Sequence, residues 1–435
     1  MFSKILIANR GEIAVRIIRA CKEMGIRTVA VYSTADAEAL HVALADEAIC
    51  IGKPEAADSY LNEERVVSAA LVTKAEAIHP GYGFLSENAH FAKLCQDNGI
   101  VFIGPSIENM ELLSDKEKIK RSMIEAELPV IPGSEVLENV EAAHKAAKKI
   151  GYPVMVKARS GGGGRGIRLV KNKEELDNAY HSAVAEGMAA FGDGAVYMEK
   201  YINPAKHIEM QVIADEYGNA VCLGERDCSI QKNNQKLIEE STSPVVSREQ
   251  RERLIAQVTK AVKHVKYQGV GTLEFLLDTE GNFYFMEMNV RLQVEHTVTE
   301  ALTGIDLVKW QIRVAAGMEL GFTQKDIDFS GASIECRINA KAPGTVKFMH
   351  VPGGPFVRFD TFLVTGMSIS PYYDSMIGKL IVFASTREEA IRKMKAALCE
   401  LIVDGVPNNV EEQIEYISDE RFRNGTYNLN FFKKE

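Results

Sequence analysis

The stretch Gly271–His296, GTLEFLLDTEGNFYFMEMNVRLQVEH, constrains this chain more than any other. Two apolar runs flank Glu280-Gly281, and a two-residue connection with Gly second is a hairpin signal. With Thr279 and Asn282 closing that turn, Glu274 stands directly opposite Glu287, their Cβ atoms about 5 Å apart. Like charges so opposed are destabilising, and a solvent-facing strand more readily sets a Lys against a Glu, so a cation is expected between them. Beyond Glu287 the alternation is expected to continue. Met286, Met288, Val290, Leu292 and Val294 then pack on one side, with Glu287, Asn289, Arg291, Gln293 and Glu295 on the other. Two carboxylates and the amide oxygen of Asn289 are hard donors that suit Mg²⁺ or Mn²⁺. The hairpin therefore reads as a metal shelf, in competition with the plain wet face of an amphipathic strand.

What the metal would hold must come from elsewhere in the chain. Its 435 residues exceed one ordinary domain and point to two to four, with 46% hydrophobic and 26% charged residues, as in a soluble globular protein. A net charge of -9 argues against broad binding to nucleic acid or anionic membranes. No apolar run reaches the length of a transmembrane helix, and Met1–Ile5 leads straight into a strand rather than a signal peptide. The seven cysteines are scattered and never form a C-x-x-C pair, which predicts neither disulfides nor zinc and places the protein in the reducing cytoplasm.

From Lys4 to about Met110 short apolar strands alternate with helical stretches, the rhythm of βαβ units and a doubly wound parallel sheet. The first turn, Asn9-Arg10-Gly11-Glu12, has a single glycine, so the Rossmann-like sheet lacks the dinucleotide fingerprint. The loop His79–Asn88 follows a strand, where open α/β sheets place ligands; a rigid turn with a buried aromatic pair is the equal alternative. After a Lys-rich helical region, Tyr152–Lys157 and Ile167–Val170 read as strands joined by Gly161-Gly162-Gly163-Gly164-Arg165-Gly166. Five glycines in six residues suit a loop whose bare N–H groups approach phosphate oxygens, with Lys157 at the end of the preceding strand as the cation. Ala195–Ile202 is an apolar strand whose end could bond a purine edge. His207–Val212 alternates like a half-buried strand, and Glu225–Lys236 is too polar to be core, so it is surface or site. Ser333–Asn339 is a further strand with Arg337 on the face of Glu335 and Asn339. Lys393-Met394-Lys395 has the form of a biotin-attachment triplet but sits in a helical pattern, Arg387–Ile402.

A glycine hairpin lid, a preceding Lys and a Glu/Glu/Asn shelf resemble the ATP-grasp architecture. The segments ANRGEIAVRIIRACKEMGI, HPGYGFLSEN, SGGGGRGIR, GERDCSIQ, EMNVRLQVEH, ECRINA and PYYDSMIGKL, in this order over nearly the whole chain, resemble the biotin carboxylase family. The resemblance implies a pre-ATP-grasp domain over 1–114, an ATP-grasp domain over 115–330 with its lid at about 130–201, and an antiparallel C-terminal β/α domain over 331–435. It implies ATP-dependent carboxylation of biotin with bicarbonate through carboxyphosphate. Lys116 and Lys157 would meet the ATP phosphates with Gly163 and Gly164 in the lid. Glu199, Lys200, Tyr201 and Ile202 would line the adenine, with His207 near the nucleotide. Glu274, Glu287 and Asn289 would hold Mg²⁺. Lys236, Arg291, Gln293 and the backbone of Val294 would bind bicarbonate, Glu295 would be its general base, and Arg337 would stabilise the biotin enolate. The expected partners are a biotin carboxyl carrier protein and a carboxyltransferase on separate chains, and a second copy in a homodimer.

The chain also departs from the family pattern. Lys232-Asn233-Asn234-Gln235-Lys236 stands where Arg-Arg-His-Gln-Lys is usual, so Asn234 replaces a nucleotide-contacting His. Val290 replaces a Thr, and the loop after Asn339 is short. These changes suggest a divergent paralogue. The alternative to an active enzyme is a catalytically weak homologue serving as a nucleotide-binding or assembly subunit.

Overall fold

The βα rhythm of the first hundred residues builds a five-stranded parallel sheet. Its strands run in the order Glu47–Gly52, Arg27–Ser33, Lys4–Ile7, Ala77–His79, Val101–Phe102. The first of these escapes the sequence reading because it is an edge strand with only Ile51 in the core. The strand order reverses between Lys4–Ile7 and Ala77–His79, the usual crevice for a ligand. Here the Asn9 amide fills it, its Nδ2 donating to the carbonyls of Pro80 at 2.7 Å and Tyr82 at 2.8 Å. Gly81 is needed there: its φ is +64°, and a Cβ would lie 3.0 Å from Asn9 Nδ2. The aromatics of this loop part ways, Phe84 stacking on Tyr60 at 5.1 Å while Tyr82 donates its hydroxyl proton to Glu12.

The structure, a computed structural model, describes residues 1–159 and 166–433, and only the backbone of Ser114, Lys116, Glu117 and Phe191. It divides into two units. One comprises Met1–Leu128, Lys206–Phe275 and Glu287–Glu435, the other Pro129–Ala205 and Leu276–Met286.

Besides the parallel sheet, the first unit holds most of an eight-stranded sheet. Its order is Phe283–Asn289, Gly269–Leu277, Lys206–Ala214, Ala220–Lys232, Gln235–Ser241, Ala332–Asn339, Met376–Ala384, Val357–Thr361. From Lys206–Ala214 to Val357–Thr361 every neighbour is antiparallel. Helix Arg248–His264 packs on it, started by a capping box in which Ser247 and Gln250 satisfy each other's backbone N–H groups. Helix Arg387–Glu400 covers the C-terminal strands and sinks Met394 of the Lys-Met-Lys triplet into their core. The triplet is thus ordinary helix, as its pattern predicts.

In the second unit Val154–Ala158 pairs antiparallel with Ile167–Val170 and with Val196–Lys200. Helices Val140–Ile150 and Leu176–Phe191 close its core of Val154, Val156, Val170, Ala183, Val196 and Met198. The strands flanking the glycine run therefore do form a hairpin, while the run itself, with Gly163 and Gly164, lies outside the described residues.

Two details of the Gly271–His296 reading are corrected. The turn is three residues long: Asp278 N–H donates to Asn282 O at 3.1 Å and Gly281 N–H to Asp278 O at 3.3 Å, with Gly281 at φ +86°. The turn is closed by a left-handed glycine, and Asp278 locks it by accepting from the N–H groups of Glu280 and Asn282. Next to the turn the register therefore differs by one residue from the two-residue expectation. The strand also ends at Asn289 instead of running to Glu295, and its alternation breaks where Met286, 40% exposed, and Glu287 both face outward.

The Asn9 bonds predict a clear stability effect. Asn9→Ala leaves two carbonyls beside the crevice unpaired and is expected to cost about 2–4 kcal/mol in urea unfolding monitored by circular dichroism. A loss below about 0.5 kcal/mol would show that the amide is not what closes the crevice.

Candidate active site

Three strands of the eight-stranded sheet, the second and third adjacent and the first separated from them by Ala220–Lys232, carry the polar residues of one face. Lys206–Ala214 is buried along its whole length, with His207, Glu209 and Gln211 in alternation. Gln235–Ser241 brings Lys236 and Glu239, and Ala332–Asn339 brings Glu335 and Arg337. The connection to Gln235–Ser241 is the turn Asn233-Asn234, with φ +52° and +62°, which is the left-handed pair a tight hairpin requires and which Asn tolerates. Asn234 is exposed there, and the turn places Lys236 beside Gln231.

Lys236 is the hub. Its ammonium is 2.7 Å from Glu295 Oε1 and 3.3 Å from Glu274 Oε1, and it donates to Glu209 as well. Glu295 is shared: its other oxygen accepts from Arg337 at 3.0 Å, and Arg337 Nε donates to Glu239 at 2.6 Å. Glu274 accepts from Asn289 at 2.7 Å and Gln293 at 2.8 Å, while His207 Nε2 stands 2.9 Å from its second oxygen. Beneath them the wholly buried Arg226 binds Glu209 at 3.1 Å, Gln211 at 2.6 Å, Thr272 at 3.1 Å, Thr299 at 3.0 Å and Gln293 at 3.3 Å.

Burial alone would protonate every carboxylate here, and the cations decide which escape. Against that burial, Lys236, Arg337 and Arg226 hold Glu295 well below the usual range, and Lys236 and His207 do the same for Glu274. For Glu209 burial outweighs Lys236 with help from Glu295 and Glu274, so its pKa is raised. Glu239 is raised to about 7 by burial and Glu295 against the pull of Arg337. Lys236 stays charged, because three carboxylates more than offset its desolvation. The face therefore keeps two ionised carboxylates held by fixed cations. It can bind a small anion at Lys236 and Arg337, accept a proton at Glu295, and offer hard oxygens to a divalent cation.

Of the residues singled out in the sequence, the fold brings Lys236, Arg337, Glu274, Gln293, Glu295, Asn289 and His207 into one cluster. Arg291 joins it through Asn289 Oδ1 at 3.1 Å and is also bound by Glu87 at 3.0 Å. Glu287, exposed, lies two residues from Asn289 on the same strand. In the second unit Lys157 pairs with Glu199 at 2.6 Å, Lys200 donates to the carbonyls of Gly151 and Tyr152, and Tyr201 and Ile202 follow the strand end half-buried. The Lys116 side chain lies outside what is described. Sequence reasoning gave no role to Glu209, Arg226 or Glu239, and the expectation that Glu225–Lys236 is too polar for the core is corrected: residues 225–230 are buried, because Arg251, Glu209 and Lys206 pair with the charges of Glu225, Arg226 and Asp227. The His-x-Glu-x-Gln alternation and the charges of Glu225-Arg226-Asp227 inside an otherwise apolar strand were the available signals.

The neighbouring Glu335 makes the electrostatics measurable. Burial raises its pKa to about 8, with Lys379 opposing and Glu239 reinforcing, whereas an unfolded Glu titrates near 4.5. Between those values the folded state binds more protons, so this group's contribution to stability falls as pH rises from about 4.5 to 8. Glu335→Gln keeps an acceptor for Thr297, which donates to Glu335, and removes that slope. The melting temperature of the variant relative to wild type is expected to rise steadily from pH 5 to pH 8. A constant difference would mean that Glu335 is ionised in the fold.

Known proteins match this chain in sequence and fold over its whole length. Residues 1–110 match the family profile "Biotin carboxylase, N-terminal domain", residues 115–323 "Carbamoyl-phosphate synthase L chain, ATP binding domain", and residues 335–434 "Biotin carboxylase C-terminal domain". A biotin carboxylase of Bacillus subtilis is 51% identical over 443 residues, covering 100% of this chain and 98% of that protein. A β-γ-ATP complex of biotin carboxylase from Campylobacter jejuni superposes with a TM-score of 0.94 at 49% identity, over 99% of this chain and 98% of that one. The biotin carboxylase domain dimer of Hydrogenobacter thermophilus 2-oxoglutarate carboxylase, with MgADP, ADP and bicarbonate, gives 0.92 at 50% identity, over 100% and 97%. Family profiles, sequence identity and fold agree with these relatives over the whole chain, and the chain belongs to the biotin carboxylase family.

Proposed function

We propose that this chain is an ATP-dependent ligase that carboxylates biotin borne on a carrier protein, using bicarbonate and passing through carboxyphosphate. The observation that carries the reading is Glu295, ionised and buried between the ammonium of Lys236 at 2.7 Å and the guanidinium of Arg337 at 3.0 Å. Bicarbonate is a poor nucleophile until it loses its proton, and a carboxylate beside fixed cations is the device for removing it.

The resting pair is a weak base because its cations hold it ionised. An arriving bicarbonate competes for Lys236 and for Arg291, Gln293 and the Val294 N–H. As Lys236 turns to the new anion, Glu295 becomes more basic at the moment a proton is there to take. The freed oxygen of bicarbonate attacks the γ-phosphorus, the bond to the bridging oxygen breaks, and ADP leaves. Such a transfer asks chiefly for positioning and neutralised charge. Lys116, Lys157, Gly163 and Gly164 would steady the phosphates, Glu199 to Ile202 the adenine, and His207 and Asn234 the rest of the nucleotide. Glu274, Glu287 and Asn289 supply the hard oxygens that fit Mg²⁺ or Mn²⁺, an ion that neutralises phosphate charge when bound. Carboxyphosphate then yields CO₂ and phosphate, the phosphate takes the ureido proton of biotin, and Arg337 faces the resulting enolate oxygen, where a fixed donor counts most.

We read the chain as three functional domains, 1–114, 115–330 with a lid at about 130–201, and 331–435. Carrier and carboxyltransferase on separate chains, a homodimer and a cytoplasmic setting complete the proposal. The Hydrogenobacter domain dimer supports the self-association. Among the described residues no helix is long and apolar enough to cross a membrane. A catalytically weak subunit is not favoured, because the base, both flanking cations and the candidate metal oxygens are all retained.

ATP hydrolysis is expected to require bicarbonate and to rise with free biotin. Glu295→Gln should lower the bicarbonate-dependent rate at least about a hundredfold. A rate independent of bicarbonate, or unchanged in the variant, would overturn the assignment.

A further inference from the structure

The segment from Val290 to Glu295 carries much of the proposed chemistry without belonging to any strand or helix. Such a segment needs its backbone groups tied down by something else. One tie is at its start, where Val290 N–H donates to Glu87 at 3.3 Å. Near its end the Gln293 carbonyl accepts from the His296 N–H at 3.2 Å and the Glu295 carbonyl from the Val298 N–H at 3.3 Å, and a further tie comes from below. Lys379, 0% exposed on strand Met376–Ala384, donates from Nζ to the Val294 carbonyl at 2.8 Å. Its second partner is Glu12 Oε1 at 3.2 Å, and Glu12 also accepts from the Tyr82 hydroxyl.

Lys379 and Arg337 are direct partners across two antiparallel strands, so their side chains rise from the same face side by side. They hold consecutive residues of the segment, Lys379 the backbone of Val294 and Arg337 the carboxylate of Glu295. A lysine is costly to bury, and an apolar residue would fill this space without needing a counter-charge. What it uniquely provides is a charged donor aimed at one carbonyl; fixing that carbonyl fixes the peptide plane it shares with the Glu295 N–H and so restrains Val294 and Glu295 on either side of it.

We propose that Lys379 is a positioning residue for bicarbonate use, clamping the Val294 carbonyl so that the Val294 N–H and the Glu295 carboxylate stay aimed at the anion. The role deepens the proposed function and rests on it for the substrate, while the clamp itself can be tested without it. Two variants are compared with wild type: Lys379→Met, and Lys379→Met/Glu12→Gln, which also removes the charge left on Glu12 and keeps the question open should the single variant not fold. Hydrogen exchange of the 290–296 amides is expected to quicken at least about tenfold in both, with the Lys4–Ile7 and Ala77–His79 strands unchanged. In steady-state ATP hydrolysis KM for bicarbonate should rise about tenfold or more, with KM for ATP within about twofold. Unchanged exchange in 290–296 would overturn the clamp. Recovery of the bicarbonate KM in the double variant would also overturn it, because Lys379 would then serve only to balance Glu12. If wild-type hydrolysis proved independent of bicarbonate, the proposed function would fall, and with it the substrate part of this role, while the exchange result would still decide the clamp.

Discussion

The ammonium of Lys236, set among Glu209, Glu274 and Glu295, is the interaction on which the cluster depends. Removing one member of a buried pair commonly costs about 3–5 kcal/mol, because the partner left behind is a buried uncompensated charge. Here three carboxylates share one ammonium, so their protonation states are set together. The hub keeps Glu274 and Glu295 ionised, while burial leaves the pKa of Glu209 raised. Arg226 and Arg337 extend the pattern from below and from the side, so that charge organises this face. Other residues of the same strands, among them Ile238, Cys336 and Ile338, pack in the apolar core under helix Arg387–Glu400.

This arrangement explains how a strongly held carboxylate can act as a base. Free, Glu295 is paired twice and binds a proton weakly. A substrate anion that draws off Lys236 changes the base and is itself held by the same motion, so binding and activation are one electrostatic event. Burial raises the pKa of Glu209 and, to about 7, that of Glu239, so both repel an incoming anion less than carboxylates in their ordinary range would.

Much of this was legible in the residues and some was not. The βα rhythm gave the parallel sheet, and the apolar runs beside the glycines gave a true hairpin. The Glu274–Glu287 argument predicted a cation, and Lys236 does sit on Glu274, but it arrives from another strand and its companions are Glu209 and Glu295. The register failed for a local reason. Asp278 accepts from Glu280 and Asn282 and makes the turn three residues long, a choice of side chain over backbone that apolar alternation does not record. Alternation likewise could not show that the strand stops at Asn289, because Arg291, Gln293 and Glu295 keep a period of two in sequence while tertiary partners, Glu87, Arg226 and Lys236, hold them. Contacts separated by dozens of residues, such as Lys379 with Val294, leave no local trace.

If this face deprotonates bicarbonate for attack on ATP, an oxygen of bicarbonate must become an oxygen of the phosphate released. Hydrolysis in the presence of free biotin with ¹⁸O-labelled bicarbonate in unlabelled water, quenched before the label exchanges through CO₂, reads this directly by mass spectrometry of the phosphate. One labelled oxygen per phosphate is the predicted result. Phosphate carrying only solvent oxygen would mean that water, not bicarbonate, is the nucleophile.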